Sequence, residues 1–211
     1  MTKLTQHFTL EEFHSPRDPN PIPGWAIARL RSVARALEVI RLRFPGRALR
    51  ITSGFRPEWL QRQVNPKVTN SQHSAATAAD FVVDGISPTE LWRTIRLLIV
   101  LGKLPRIKGL GWYGPQVGPP KRHVHGDERG TKGLVTWSNV AGAPPGPKVM
   151  PTFQVRGEAA IYIQVGRTLH KVEDARQLGT LRRLRWAGPK GSQRVLANRR
   201  ALAAERAKLA A

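Results

Sequence analysis

Residues 51–80, ITSGFRPEWLQRQVNPKVTNSQHSAATAAD, carry the pattern on which the prediction of the fold depends. His73 and Asp80 lie near the end of this stretch, with six residues between them. This spacing is too wide for neighbours on one helical turn, which are three or four positions apart. It is typical of a His at the edge of a loop and an Asp on the next strand. The run 74–79 consists of small residues, which allows the backbone to fold tightly between the two.

The second part of the candidate site is the string HVHGD, which begins at His123. Alternate side chains of an extended strand face the same side, so His123, His125 and Asp127 are expected to share one face. Imidazole nitrogen and carboxylate oxygen are zinc ligands, and a catalytic zinc site keeps three protein ligands and an open position for water. The His and Asp of the first stretch and an imidazole of this string therefore form a candidate zinc site, although the same ligands also suit other divalent metals.

The order of these short strings resembles the zinc peptidases of the D-alanyl-D-alanine carboxypeptidase family, which share their fold with the Hedgehog signalling domain. That family carries the pattern SGYRS, then SxHxxGxAxD, then a late His in a strand. The strings HGDERG, at 125–130, and HFTLEEF, near the N-terminus, are also similar to phage and bacterial members. The resemblance covers about residues 5–140. The matching residues are Ser53, Gly54, Phe55, Arg56, Ser71, His73, Asp80 and His125.

The resemblance implies an α+β fold in which helices pack on a small antiparallel sheet, with zinc held by His73, Asp80 and His125. It implies hydrolysis of an amide bond in peptidoglycan stem peptides by a phage-type endolysin or virion-associated lysin. The activity would be that of a D,D-carboxypeptidase or an L,D- or D,D-endopeptidase. Arg56 and Ser71 are expected to bind substrate, the Arg because its planar guanidinium matches a carboxylate.

The general base does not follow from this pattern. Many family members place a Glu or Asp three to six residues before the late His, whereas residues 119–122 are Pro, Pro, Lys and Arg here. The candidate catalytic residues are His123 and Asp127, which share a strand face. Glu128 is expected to point away. Another departure is Ala76, which stands where the family has Gly.

Two functions therefore stay open. The first is an active zinc peptidase. The second is a catalytically inactive structural or binding component of a phage particle that keeps the same fold, because a fold does not guarantee an activity.

The charge of the chain predicts polyanionic partners. The formal net charge is +21 and the pI is near 11.7. Besides peptidoglycan, the expected partners are an anionic envelope polymer or an acidic protein surface, reached through the basic tail, and other virion proteins. Nucleic acid is not expected as the main ligand, because no recognised motif or aromatic series accompanies the arginines.

The composition also restricts the cellular setting. Cysteine is absent, which excludes disulfides and thiolate metal sites. No apolar run approaches the ~18 residues of a membrane-spanning helix. The N-terminus MTKLTQHFTLEEF lacks the apolar segment of a signal peptide. The expected location is the phage virion, or the host cytoplasm with release to the cell wall.

Pattern and composition divide the chain into four parts. We expect a peptidase domain at 1–141, a Pro/Gly-rich linker at 142–151, a small hairpin and helix module at 152–188 and a basic, helical tail at 189–211. Within them, helices are predicted at 26–44, 57–64, 88–101 and 173–184, and strands at 48–52, 78–83, 108–113, 122–128, 159–165 and 168–172.

Overall fold

The chain divides into two units, the first of residues 1–95 and 104–144 and the second of residues 96–103 and 145–211. Residues 96–103, which the sequence assigns to the domain at 1–141, thus belong to the second unit, whereas the expected linker at 142–151 lies outside the described residues. The computed structural model describes residues 1–114, 122–138, 152–155, 160–165, 168–172, 178, 181, 194–196 and 199–210.

The first unit is α+β, as predicted, and is built on a five-stranded sheet with the order β1-β2-β4-β3-β5. The expectation of a purely antiparallel sheet is wrong. The first four strands are antiparallel neighbours, but β5 pairs with β3 in parallel, so the sheet is mixed. The sequence does not predict β5. The helices are α1 (Gly24–Arg41), α2 (Glu58–Val64) and α3 (Pro88–Val100), and the strands are β1 (Leu49–Ser53), β2 (Ala78–Val83), β3 (Gly109–Tyr113), β4 (His123–Asp127) and β5 (Val135–Ser138).

Helical periodicity explains how α1 covers the sheet. Its buried positions recur at steps of three and four, which places them on one face, and the helix contacts β2. Full burial of one such aliphatic side chain contributes roughly 1.5–3 kcal/mol. The chain turns away after the helix at Gly46, whose φ of +72° is readily adopted by glycine. The spaced buried residues include Ala26, Leu30, Val33, Leu37 and Ile40.

Two backbone N–H groups at helix starts are capped by side chains. The Thr9 N–H donates to Glu12 Oε2 at 2.7 Å, although the helix that follows is only a short 3-10 helix, Glu11–Phe13. The Glu90 N–H donates to Ser87 Oγ at 3.2 Å and so caps the start of α3. Within the described residues, no helix is long and apolar enough to cross a membrane.

The Ser-Gly-Phe string after β1 is held against the N-terminal 3-10 helix. The Phe55 N–H donates to the Phe13 carbonyl at 2.8 Å. A Cβ on Gly54 would lie 2.5 Å from the same carbonyl oxygen and 2.6 Å from the Phe13 Cα, a distance that real Cβ atoms do not reach. Glycine at this position therefore allows the close approach that fixes the loop before α2.

The second unit contains a four-stranded sheet with the order β8-β7-β6-β9. The predicted hairpin is β7 (Ile161–Val165) and β8 (Thr168–Val172), and β6 (Thr152–Val155) and β9 (Arg194–Leu196) extend it. The helix expected over 189–211 covers only α4 (Arg199–Ala210) among the described residues, because β9 precedes it. Most of the helix expected at 173–184 lies outside the described residues. One buried cluster of this unit is Leu97, Leu101, Ile163, Val172 and Leu181.

Candidate metal centre

His73 reaches the site from a tight turn between α2 and β2. The Ala75 N–H donates to the Ser71 carbonyl at 3.0 Å and the Ala76 N–H to the His73 carbonyl at 3.1 Å. Ala76 adopts a φ of +59°, which is uncommon for a residue with a Cβ and explains why glycine suits this position. The small residues after His73 thus fold the chain back toward β2.

One nitrogen of the buried His73 is fixed by the backbone. Its Nδ1–H donates to the Gly54 carbonyl at 2.7 Å, which leaves Nε2 facing the cluster. Burial lowers the pKa of His73, although the Asp80 charge opposes this effect. A neutral imidazole with its free lone pair at Nε2 is the form that binds a metal ion.

Strand pairing brings the other two candidate ligands together. Asp80 on β2 is directly paired with His125 on β4, so their side chains lie beside each other on one face. His125 Nδ1–H donates to Asp80 Oδ1 at 2.7 Å. His73 Nε2 lies 3.3 Å from the same oxygen and 3.2 Å from His125 Nδ1. One ligand atom from each of the three buried residues lies within 4.8 Å of the others, so the group can hold a metal ion.

Asp127 lies on the other side of the His125 ring. His125 Nε2–H donates to Asp127 Oδ2 at 2.9 Å, whereas Nδ1 faces Asp80. Arg129 holds the Asp127 carboxylate from behind, with Nη2 at 2.7 Å from Oδ2 and Nε at 2.8 Å from Oδ1. Burial opposes ionisation, but the bonds from Arg129 and His125 keep the pKa of Asp127 well below its usual range. Asp127 is thus placed to orient His125, as carboxylates behind metal-bound histidines do.

His125 and Asp80 are charged partners when no metal is bound. Burial by itself would lower the pKa of His125, but hydrogen bonds to Asp127 and Asp80 outweigh this effect and raise the pKa to about 9. Burial likewise opposes the ionisation of Asp80, yet the two neighbouring imidazoles hold its pKa well below the usual value. The site thus stabilises one cation between two carboxylates, a position that a metal ion can take.

Two glycines of β3 make room for this arrangement. Gly109 pairs with Asp127 and Gly111 with His125. A Cβ on Gly109 would overlap the Asp127 carboxylate, and one on Gly111 would lie 2.8 Å from the Trp137 ring. Sequence reasoning missed both positions and Trp137, although the alternation Gly-Leu-Gly-Trp-Tyr over 109–113 was a usable signal.

His123 and Arg56 lie near the three candidate ligands. His123 Nε2 is 3.7 Å from Asp80 Oδ1, and its ring stacks on Tyr113 with centroids 4.1 Å apart. The Arg56 N–H donates to the His73 carbonyl at 3.4 Å. The Arg56 Nε atom is buried and has no hydrogen-bond partner among the described residues. Burial lowers the pKa of Arg56, while the Asp80 charge raises it, so the guanidinium lies within electrostatic reach of the site.

Ser71 and Glu128 form hydrogen bonds with residues outside the group of three candidate ligands. Ser71 Oγ–H donates to Gln61 Oε1 at 3.1 Å, which joins the turn to α2. Glu128 points away, as expected, because its oxygens accept from Ser32 Oγ at 2.9 Å and from Arg106 Nε at 3.1 Å.

A comparison of the chain with protein-family models, with curated proteins and with solved structures finds no match.

Proposed function

We propose that the protein is a zinc-dependent peptidase that hydrolyses an amide bond in peptidoglycan stem peptides. The observation that carries the proposal is the convergence of His73 Nε2, Asp80 Oδ1 and His125 Nδ1 in a buried site. The resemblance of the surrounding strings to the D-alanyl-D-alanine carboxypeptidase family supplies the substrate class. We propose both the identity of the metal, zinc, and that of the substrate, peptidoglycan.

The donor set fits zinc. Zinc sites are mostly tetrahedral, with bonds of about 2.0–2.2 Å to His and Asp, which places neighbouring ligand atoms roughly 3.3 Å apart. The three atom pairs here are 2.7, 3.2 and 3.3 Å apart. Small outward movements of the side chains would therefore bring the three ligand atoms to the separations of a tetrahedral zinc site. When bound, zinc supplies Lewis-acid polarisation of the carbonyl and lowers the pKa of its water to about 7.

His123 is the residue that we assign as proton acceptor for the attacking water. It faces the same oxygen of Asp80 as the candidate ligands do, at 3.7 Å, and its side chain is partly exposed. Asp127 is the other candidate that the sequence pattern indicates, but both of its oxygens are occupied by His125 and Arg129. This geometry favours a positioning role for Asp127.

Substrate binding has support beside the candidate metal centre. Arg56 is partly buried, and its Nε has no hydrogen-bond partner among the described residues, so its guanidinium is available for a stem-peptide carboxylate. A groove of about 570 Å³ is lined by Ser71 and by the chain neighbours of Arg56 and His73, although these two residues do not themselves line it. Its volume is in the range of ligand-binding clefts. The groove includes Phe55, Pro57, Ser71, Gln72 and Ser74.

The alternative is a non-catalytic component of a phage particle with the same fold. It is favoured by the lack of an acidic residue at 119–122 and by the engagement of Asp127 with His125 and Arg129. In either case, the basic residues of α4 would contact an anionic envelope polymer or an acidic protein surface.

Metal content and peptidoglycan digestion test the proposal together. We expect about one zinc per chain in the unmodified protein and none in H73A or H125A. H7A removes an exposed imidazole outside the site and serves as the matched control, with zinc content unchanged. The zinc-loaded protein and H7A should release new amino groups from purified peptidoglycan, whereas H73A and H125A should not. Zinc binding without such release would overturn the peptidase and support the non-catalytic alternative.

A further inference from the structure

Tyr113 lies at the candidate site but has no role in the proposed chemistry so far. It is the last residue of β3 and pairs with His123 on β4. The phenol ring is parallel to the His123 imidazole within 20°, with centroids 4.1 Å apart. The side chain is therefore held beside the residue that we assign as proton acceptor.

Trp137 is the aromatic neighbour of the phenol on the side of β5. Its indole N–H lies within interaction range of the Tyr113 hydroxyl and lowers the pKa of that group. The indole is itself held in place, because its ring centroid lies 5.1 Å from that of His125 and the Arg129 guanidinium lies 4.6 Å from the Trp137 centroid. Gly111 permits this packing, since a Cβ there would lie 2.8 Å from the indole. A protonated phenol has one hydrogen that it can donate to another group.

The phenol stays protonated at neutral pH. Burial raises the pKa of Tyr113, and the Asp80 charge raises it further, although Trp137 and Arg56 act in the other direction. The influence of Asp80 and Arg56 also shows that the hydroxyl lies within electrostatic reach of the candidate centre. A half-buried neutral O–H on a ring held by stacking is a hydrogen-bond donor suited to a developing negative charge.

We propose that Tyr113 is a catalytic residue whose O–H donates a hydrogen bond to the oxyanion formed on the scissile carbonyl. This role rests on the proposed peptidase function. The water oxygen bonds to the carbonyl carbon, the carbonyl π electrons move to its oxygen, and the water proton passes to His123. Re-formation of the carbonyl then breaks the C–N bond, and His123 returns the proton to the leaving nitrogen. Tyr113 keeps its proton throughout.

The test replaces only the hydroxyl. Y113F keeps the ring that stacks on His123, and Y162F is the matched control because the chain has only these two tyrosines. Both variants should bind as much zinc as the unmodified protein. We expect kcat for stem-peptide hydrolysis to fall about 10²-fold in Y113F with little change in KM, as for loss of one oxyanion donor. Y162F should match the unmodified protein.

A binding measurement separates this inference from the proposed function. Acetohydroxamate, an anionic oxygen ligand for zinc, is titrated into zinc-loaded protein by calorimetry. If Tyr113 donates to an anionic oxygen at the metal, the affinity of the protein for acetohydroxamate should fall about tenfold or more in Y113F. This affinity should stay unchanged in Y162F. Equal affinities in all three proteins would overturn the role of Tyr113 even if peptidoglycan is hydrolysed. A weaker affinity in Y113F without hydrolysis would retain the donor and overturn the peptidase. Failure to bind zinc would overturn both.

Discussion

Two trios of side chains in the first unit each combine an imidazole, a carboxylate and a guanidinium. Their ion-pair distances are similar, at 2.9 and 2.7 Å in one and 3.0 and 3.3 Å in the other. The first carboxylate is fully buried, whereas the second has 19% of its side chain exposed. The members are His125, Asp127 and Arg129, which we call the buried trio, and His7, Glu38 and Arg41, which we call the exposed trio.

The difference lies in what the imidazole can do. In the exposed trio, Arg41 Nη2–H donates to His7 Nε2 at 3.0 Å while His7 Nδ1 faces Glu38, so both ring nitrogens are used within the trio. In the buried trio, only Nε2 of His125 faces the carboxylate, and Nδ1 is directed at Asp80 and His73. The same three chemical groups therefore form a surface network in one place and the support of a candidate ligand in the other.

The largest contrast is expected when each carboxylate becomes an amide. D127N leaves the Arg129 and His125 donors facing a neutral group inside the protein, and breaking a buried ion pair typically costs about 3–5 kcal/mol. E38Q changes a partly exposed pair, for which about 0–1 kcal/mol is usual. Urea unfolding of the metal-free proteins measures both. Equal losses for the two variants would contradict the distinction between the trios.

The pH dependence of stability sharpens the comparison. The pKa of His125 is about 9 in the folded protein and near 6.5 in the unfolded chain. Because the pKa of His125 is higher in the folded protein, its protonation stabilises the folded state. This contribution is fully present below pH 6.5 and is lost as pH rises toward 9. The free energy of unfolding of metal-free protein should therefore fall by up to about 3 kcal/mol over this window.

Urea unfolding at a series of pH values in the presence of a chelator measures this loss. H7Q, which replaces an imidazole outside the candidate site, is the matched control. H125Q should remove most of the decline between pH 6.5 and 9. A decline of the same size in H125Q would show that another group is responsible.

A smaller effect is expected from the space that the buried trio requires. In G109A the new methyl group would overlap the Asp127 carboxylate, so the strand or the trio must shift, at a cost of typically 1–3 kcal/mol. G133A is the matched control, because nothing lies within 4 Å of a Cβ at that position. The midpoint of thermal unfolding should be lower for G109A than for the unmodified protein, whereas the midpoint for G133A should be almost unchanged. A normal midpoint for G109A would mean that Asp127 can move without cost.

Much of the first unit followed from local patterns. The spacing of apolar residues predicted α1 to within three residues at each end, and the strand at 78–83 has the predicted bounds. The short strand β5 was missed because it has only four residues, and none of them is fully buried. Its parallel pairing with β3 joins residues far apart in sequence, which no local pattern reports.

Some residues of the candidate site were predicted from the sequence, and others were found only in the structure. His73, Asp80 and His125 were selected by residue type and order, and the structure brings their ligand atoms together. Trp137 and Tyr113 were not selected, because an aromatic residue near a strand end is ordinarily a packing residue. Their relation to the site depends on contacts across three strands.

The sequence by itself determined most helices and strands of the first unit, the high positive charge and the identity of three side chains able to bind a metal. Backbone geometry sets helical and strand periodicity, so these features can be read from neighbouring residues. Only the tertiary structure decided which nitrogen of His125 faces Asp80 and that Asp127 lies behind the ring. Those facts depend on the register between strands 45 residues apart and on the burial that excludes water, and neither is encoded in a local pattern.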